Sequence, residues 1–445
     1  MSLSLPNPKV VVIGGGIAGL TCAHRLQESG VDVELYEARS RVGGRIFTVT
    51  LNGTPAELGA HNLTDGGEAP HLHALIDEFG LTTSDYELTL NHAFFDGERF
   101  TPVADLYNQA SLDPATLRQQ LSVEGANMRE LLERIVEPGT PFYRAVSMRL
   151  TAYEGGSPEA LSSLYADTLF YMLLGGLSIA HQESGKVNIA SIDGGNSLLP
   201  KRIAEALGPR LHLNMPLTHV SKKEKGYTLT FESGHKTTAD LLVLAIPCPT
   251  YNAISFSEAA LPPDRLADIN SVPYGTNAKI LVPFSTPPRT RAGVGSGNTV
   301  CFLDPAGAIL TLYCSGEEGY FSPETIASTY AHARPMIEGH FGATCPPFIP
   351  PAYADTPGSY TTPVGHSWPA DPYAGGSYSY VGAGQEGLLT STTEHKGTLF
   401  RTLFAPIDDT LYFIGEHTSI LSDVPGTMEA ACESGDRIAR AILGV

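Results

Sequence analysis

Apolar and polar positions follow two periods along this chain. Residues 9–14, KVVVIG, form a short β-branched run closed by glycine, the pattern of a strand buried on both faces of a parallel sheet. Apolar positions then recur at Ile17, Leu20, Ala23 and Leu26, which share one face of a helix. VDVELYE returns to the strand pattern and ends at Glu37. Residues 70–80, PHLHALIDEFG, predict an amphipathic helix stopped by glycine, and Asp96–Gly97 in AFFDGERF predicts a hairpin turn. From about 113 to 182 the spacing is mostly helical, in ATLRQQL, MRELLERIV and LSSLYADTLFYMLLGGLSIA. That last run is apolar on most faces but carries Asp167, Gly175 and Gly176, so it reads as a buried helix covering a ligand site.

Further along, SIDGGNSLLPKRIAEALG (191–208) is again a glycine turn leading into a helix. Residues 210–247 read as a β-meander closing on a buried strand that ends at Pro247. Residues 279–360 are rich in Pro and Gly and give no clear pattern. DDTLYFIGEHTS is strand then turn, and PGTMEAACESGDRIARAIL is turn then helix. Two strand–turn–helix units, one at each end of the chain, could therefore point at one ligand.

Composition narrows the class. At 445 residues the chain is long enough for two joined domains, and 42% hydrophobic with 17% charged residues is a globular composition. The formal net charge of −19 disfavours nucleic acid and anionic membrane as partners. Six cysteines (Cys22, Cys248, Cys301, Cys314, Cys345, Cys432) lack metal-ligand or redox-motif spacing and read as buried thiols of a reducing compartment. No secretory leader and no apolar stretch of membrane-spanning length is visible. The expectation is a soluble cytoplasmic protein without a metal centre. No oligomer interface is legible, although a homodimer is the commonest soluble assembly.

Gly14, Gly16 and Gly19 stand in G-x-G-x-x-G register between the first strand and helix, and Glu37 follows 18 residues after Gly19. In that context Gly14 permits the tight turn, Gly16 lets backbone N–H groups approach a pyrophosphate, and Gly19 lets helix and strand pack. The helix N-terminus stabilises the phosphate charge, and Glu37 can accept from a ribose diol. This pattern alone fits NAD or FAD. EARSRVGGR (37–45) adds Arg39, Arg41 and Arg45 around a second glycine pair, and AELGAH (56–61) adds a small-residue passage. Both suit a longer cofactor threading deeper into the protein, so FAD is the expected ligand.

The ordered blocks GGGIAGL, EARSRVGGR, ELGAH, DGG, HVSKKEKGYTLTF, ADLLVLAIP, WPADPYAGGSY and FIGEHTS…GTMEAA resemble the flavin amine oxidases, which include monoamine, polyamine and L-amino-acid oxidases. The resemblance runs from residue 9 to about 440. It implies an α/β fold (α+β overall): a Rossmann-like FAD-binding domain of the GR2 type, from residues 1–75, 190–278 and 365–445. An interleaved substrate domain of mixed sheet plus helices would take residues 76–189 and 279–364.

It further implies non-covalent FAD on Gly14, Gly16, Ile17, Ala18 and Gly19 at the pyrophosphate, with Glu37 and Ala38 at the adenosine ribose. Arg39, Gly44 and Arg45 would flank the diphosphate, Gly59 and Ala60 the ring passage, and the Val220 backbone the adenine. Gly415, Glu416, Thr427 and Met428 would lie near the ribityl chain and isoalloxazine. Lys279 matches a lysine placed near flavin N5 through a water; read alone it is a lysine at a strand start. Trp368 packs near the flavin in the family, and Tyr378 forms one wall of an aromatic cage whose second wall, tyrosine in monoamine oxidases, is Thr427 here. Ser377 replaces the cysteine of covalently flavinylated relatives. His61 is either a substrate-side residue or an ordinary hydrogen-bonded histidine.

The implied reaction is oxidation of an amine C–N bond by hydride transfer to flavin N5. An imine and then an aldehyde or ketone would form, with O2 reduced to H2O2. No arginine follows ELGA, where snake-venom L-amino-acid oxidases bind a carboxylate, although Arg99 or Arg149 could arrive from elsewhere. An L-amino-acid oxidase, a desaturase or protoporphyrinogen-oxidase-like enzyme, and a non-catalytic flavin-binding protein are the alternatives.

Overall fold

The computed structural model describes residues 8–63, 68–88, 93–110, 112–122, 126–175, 187–304, 306–350, 352–421 and 426–445. The first buried run forms strand β1 (Lys9–Ile13), followed by helix α1 (Ile17–Glu28) and strand β2 (Asp32–Tyr36). β1 lies at the centre of a five-stranded parallel sheet, between β2 and strand Leu241–Leu244. Strands Leu411–Phe413 and Leu211–His212 close its two edges. Val10 and Val12 pack on one face under α1 and helices Leu198–Leu207 and Met428–Leu443. Val11 and Ile13 pack on the other, against the meander of residues 217–239. This two-faced burial explains why the strand reads as a continuous apolar run.

The structure corrects the reading of residues 210–247. The meander comprises only Leu217–Lys222, Tyr227–Phe231 and Lys236–Ala239. The buried strand Leu241–Leu244 leaves it for the parallel sheet and stops three residues short of Pro247, and Ala245, Ile246 and Pro247 line a cavity instead.

A second sheet has seven strands, in the spatial order 364–367, 278–283, 309–314, 299–303, 294–296, 93–95 and 100–102. The Pro- and Gly-rich segment with no clear pattern thus supplies four of its strands, followed by helix Ile326–Phe341. The hairpin at Asp96–Gly97 forms as expected, and helices Pro141–Glu154 and Ala166–Leu173 pack together in a separate apolar cluster. Leu169 to Leu173 are buried, while residues 176–180 of that apolar run lie outside the described residues. Among the described residues no helix is long and apolar enough to cross a membrane.

Candidate active site

β1 ends in a turn that only glycine can make. Gly14 has φ +110°, and a Cβ there would meet the Ala245 carbonyl oxygen at 2.4 Å. Gly19 lies one helical turn into α1, where a Cβ would fall 2.0 Å from the Gly14 carbonyl oxygen. Gly16 differs: a Cβ there meets nothing within 4 Å, so the room it leaves faces the cavity. Gly16 is also the α1 N-cap, and among the described residues no side-chain cap bond is made there. Open space beside unclaimed donors at a positive helix end fits a pyrophosphate. The second glycine pair crosses this point: the Gly43 amide donates to the Gly15 carbonyl (2.8 Å), and Gly44 has φ +55° with its Cβ position 3.3 Å from the Gly16 Cα.

Glu37 is buried, and its carboxylate accepts from the Gly15 and Arg39 amides at 2.6 and 2.8 Å. Burial pushes its carboxyl pKa up, partly offset by those two amides. Arg39 is ion-paired to Asp371, which His366 also contacts at 2.9 Å. Burial alone would raise the Asp371 pKa, yet His366 and Arg39 lower it to about 2. Arg45 donates to the Ser377 carbonyl and to Glu416, both at 2.9 Å. Glu416 also accepts from the Ser379 hydroxyl at 2.6 Å and its amide at 3.1 Å. The C-terminal helix opens on Thr427, whose hydroxyl caps the Ala430 amide at 3.2 Å.

At the other end of the same cavity, Lys279 projects from strand Ala278–Pro283. It is 6% exposed, and its ammonium donates to the Gly59 and Glu57 carbonyls at 2.6 and 3.3 Å. Burial draws its pKa down, opposed by the buried Glu57 carboxylate. Trp368 donates from Nε1 to the Leu58 carbonyl at 3.1 Å, fixing its ring against the Glu57–Gly59 passage. The Tyr378 hydroxyl donates to the Tyr153 and Ala152 carbonyls at 2.8 and 3.2 Å. Its ring is wedged between Gly155 and Gly426, where added Cβ atoms would lie 3.0 and 3.1 Å from it. His61 lines the cavity, stacked on Phe302, and burial and Lys279 lower its pKa to about 3.

One cavity of about 1350 Å³ joins both ends, more than the roughly 300–1,000 Å³ of an ordinary small-molecule site. Gly14, Gly16, Ile17, Ala18, Glu37, Ala38, Arg39, Gly44 and Arg45 line it. So do Gly59, Ala60, His61, Lys279, Trp368, Tyr378, Gly415, Glu416, Thr427 and Met428. Gly19 does not; it serves packing. Val220 does not either. Its side chain is 0% exposed, its carbonyl accepts from the Ser257 amide, and the wall there is Met215, Pro216 and Leu217. Arg99 and Arg149 are also absent from the lining, the latter being bonded to Tyr107.

Tyr313, Phe302, Tyr165 and Glu154 line the cavity without having been singled out from the sequence. The alternation in ILTLYC, which buries Leu310 and Leu312 and turns Tyr313 to the opposite face, was the one available signal for Tyr313. Thr427 brings no ring to the cage. A ring does come from Tyr313, whose hydroxyl is 3.5 Å from that of Tyr378, and Phe302 stands 6.5 Å from Tyr313 between centroids.

With this geometry in place, comparison decides the family. The family model described as flavin containing amine oxidoreductase matches residues 17–443. The chain belongs to that family. It is 26% identical to polyamine oxidase 4 of Oryza sativa subsp. japonica over 96% of this chain and 87% of the relative. It is 26% identical to flavin-containing amine oxidase B of Homo sapiens, over 98% and 86%. Putrescine oxidase solved with putrescine shares the fold, with a TM-score of 0.73 at 18% identity over 98% of this chain and 99% of that one. Membership implies a flavin cofactor and an oxidoreductase acting on amines.

Proposed function

We propose that this flavin amine oxidoreductase holds FAD without a covalent bond and oxidises the C–N bond of an amine that carries no carboxylate. The imine formed is hydrolysed to an aldehyde or ketone. When bound, FAD supplies the two-electron acceptor and returns the electrons to O2, giving H2O2.

The observation that carries the reading is that Lys279, Trp368 and Tyr378 share one cavity with the glycine cradle of α1. Gly14 to Ala18, Glu37 and Arg45 would hold the cofactor; Trp368, Tyr378, Tyr313 and Phe302 would hold the substrate chain in an apolar slot and exclude water. The neutral His61 leaves the amine unrepelled there. Lys279, desolvated and held by two carbonyls, can hold or release a proton at Nζ close to the working pH, the property needed to assist reoxidation.

Two further facts support the finer points. Ser377 lines the cavity, its hydroxyl donating to Asn277 at 2.8 Å, and no cysteine is among the described lining residues, which favours non-covalent FAD. The lining arginines are committed: Arg39 to Asp371, Arg45 to Glu416, and Arg401 to the Ser419 and Thr390 carbonyls at 2.8 and 2.7 Å. Among the described lining residues no arginine is left for a substrate carboxylate.

The test is anaerobic flavin bleaching by separate pools of amines and L-amino acids. Bleaching by amines alone is expected. Bleaching by amino acids alone would replace this reading with an amino-acid oxidase. Acid precipitation should leave the flavin in the supernatant; flavin in the pellet would refute non-covalent binding.

A further inference from the structure

One charged group at the substrate end has no role in the scheme above. Glu154, the last residue of helix Pro141–Glu154, lines the cavity. Burial pushes its pKa up to about 7, and the Thr168 hydroxyl opposes that shift. The contrast with Glu57 is instructive. Glu57 is also buried, but it accepts from Thr48 and the Asn196 amide and faces Lys279. Among the described residues no cation acts on Glu154. A desolvated carboxylate with one hydroxyl partner is costly unless a cation joins it.

Its position is also specific. Glu154 follows Tyr153, whose carbonyl receives the Tyr378 hydroxyl, and its charge acts on both Tyr378 and Tyr165. It therefore lies beside Tyr378 and Tyr165 rather than in the glycine cradle of α1. Further out, Asp167 also lines the cavity with its side chain 86% exposed, its nearest cation being Arg118 at 4.0 Å. A carboxylate at the rim and another inside form a path attractive to a cation carrying more than one charge, and the net charge of −19 adds to the attraction.

We propose that Glu154 pairs with a second ammonium group of the substrate, so that the site selects diamines or longer polyamines over monoamines. This rests on the amine oxidase reading. One nitrogen would be presented for oxidation between Tyr378 and Tyr313, and the other would be neutralised by Glu154, with an apolar chain between them.

The experiment compares kcat/KM of the FAD-loaded enzyme for chain-matched pairs: 1,4-diaminobutane with butylamine, and 1,5-diaminopentane with pentylamine. Wild type should prefer the diamine. Removing one partner of a buried charge pair should lower the diamine-to-monoamine ratio about 30-fold or more in Glu154→Gln. An unchanged ratio, even with both rates reduced, would overturn the proposal while leaving the amine oxidase reading intact. Failure of every amine to bleach the flavin would overturn both. Should Glu154→Gln not fold, the wild-type profile still decides: equal or better turnover of monoamines at every chain length would refute the pairing.

Discussion

Gly16→Ala and Gly19→Ala add the same carbon to the same glycine turn, yet the structure assigns them different consequences. At Gly16 the backbone has φ −70° and ψ 171°, which any L residue adopts, and the new Cβ meets no protein atom within 4 Å. Reduced freedom of the unfolded chain should contribute about 0.4–1 kcal/mol to apoprotein stability. Replacing glycine by the poorer N-cap alanine should cost about as much, so the net change is near zero. The methyl group would enter the space in which the proposed pyrophosphate lies, and crowding of about 1–3 kcal/mol corresponds to roughly 5- to 150-fold weaker FAD binding. At Gly19 the Cβ would stand 2.0 Å from a backbone oxygen and 3.1 Å from the Ala245 Cβ. Helix and strand must separate, which should cost the apoprotein about 1–3 kcal/mol or more. Trp368 is the only tryptophan and is 4% exposed, so its fluorescence reports urea unfolding of the apoproteins. FAD affinity follows from flavin fluorescence on titration. The reasoning is refuted if Gly16→Ala loses as much apoprotein stability as Gly19→Ala, or if it binds FAD as wild type does.

Other predictions concern charge. Lys279→Met should slow reoxidation of the reduced enzyme about 100-fold by stopped flow and abolish its alkaline-side pH dependence, because burial draws the Lys279 pKa towards the working range; equal reoxidation rates in variant and wild type would remove the lysine from the scheme. Asp371→Asn should cost about 2 kcal/mol at pH 7, since the carboxyl pKa is lowered from 3.8 to about 2. The sign is that of a depressed acid: the stabilisation is present above about pH 4 and disappears as pH falls towards 2. Urea midpoints of variant and wild type should therefore converge between those values, and a gap independent of pH would show that the carboxylate charge is not the cause.

The difference between local and distant information explains what was legible in advance. Strand β1, the glycine turn, α1 and Glu37 follow from spacing within 30 residues, because helix period, strand burial and positive φ are properties of short segments. The second strand–turn–helix at residues 411–443 was legible for the same reason. Which part of strand Leu217–Lys222 reaches the cavity shows the limit of that information. A register shift between Leu217 and His219 changes how the strand pairs, and Val220 is used inside its sheet while Leu217 meets the cavity. Likewise Arg39 and Asp371 are 332 positions apart, and Tyr313 and Tyr378 are 65 apart. No period in the sequence encodes such meetings. By itself, then, the sequence determined the strand–glycine turn–helix unit and the family, through short motifs whose backbone demands are local. Only the tertiary structure decided which aromatic rings and which carboxylates line the cavity, because both depend on strand register and on how distant segments close around it.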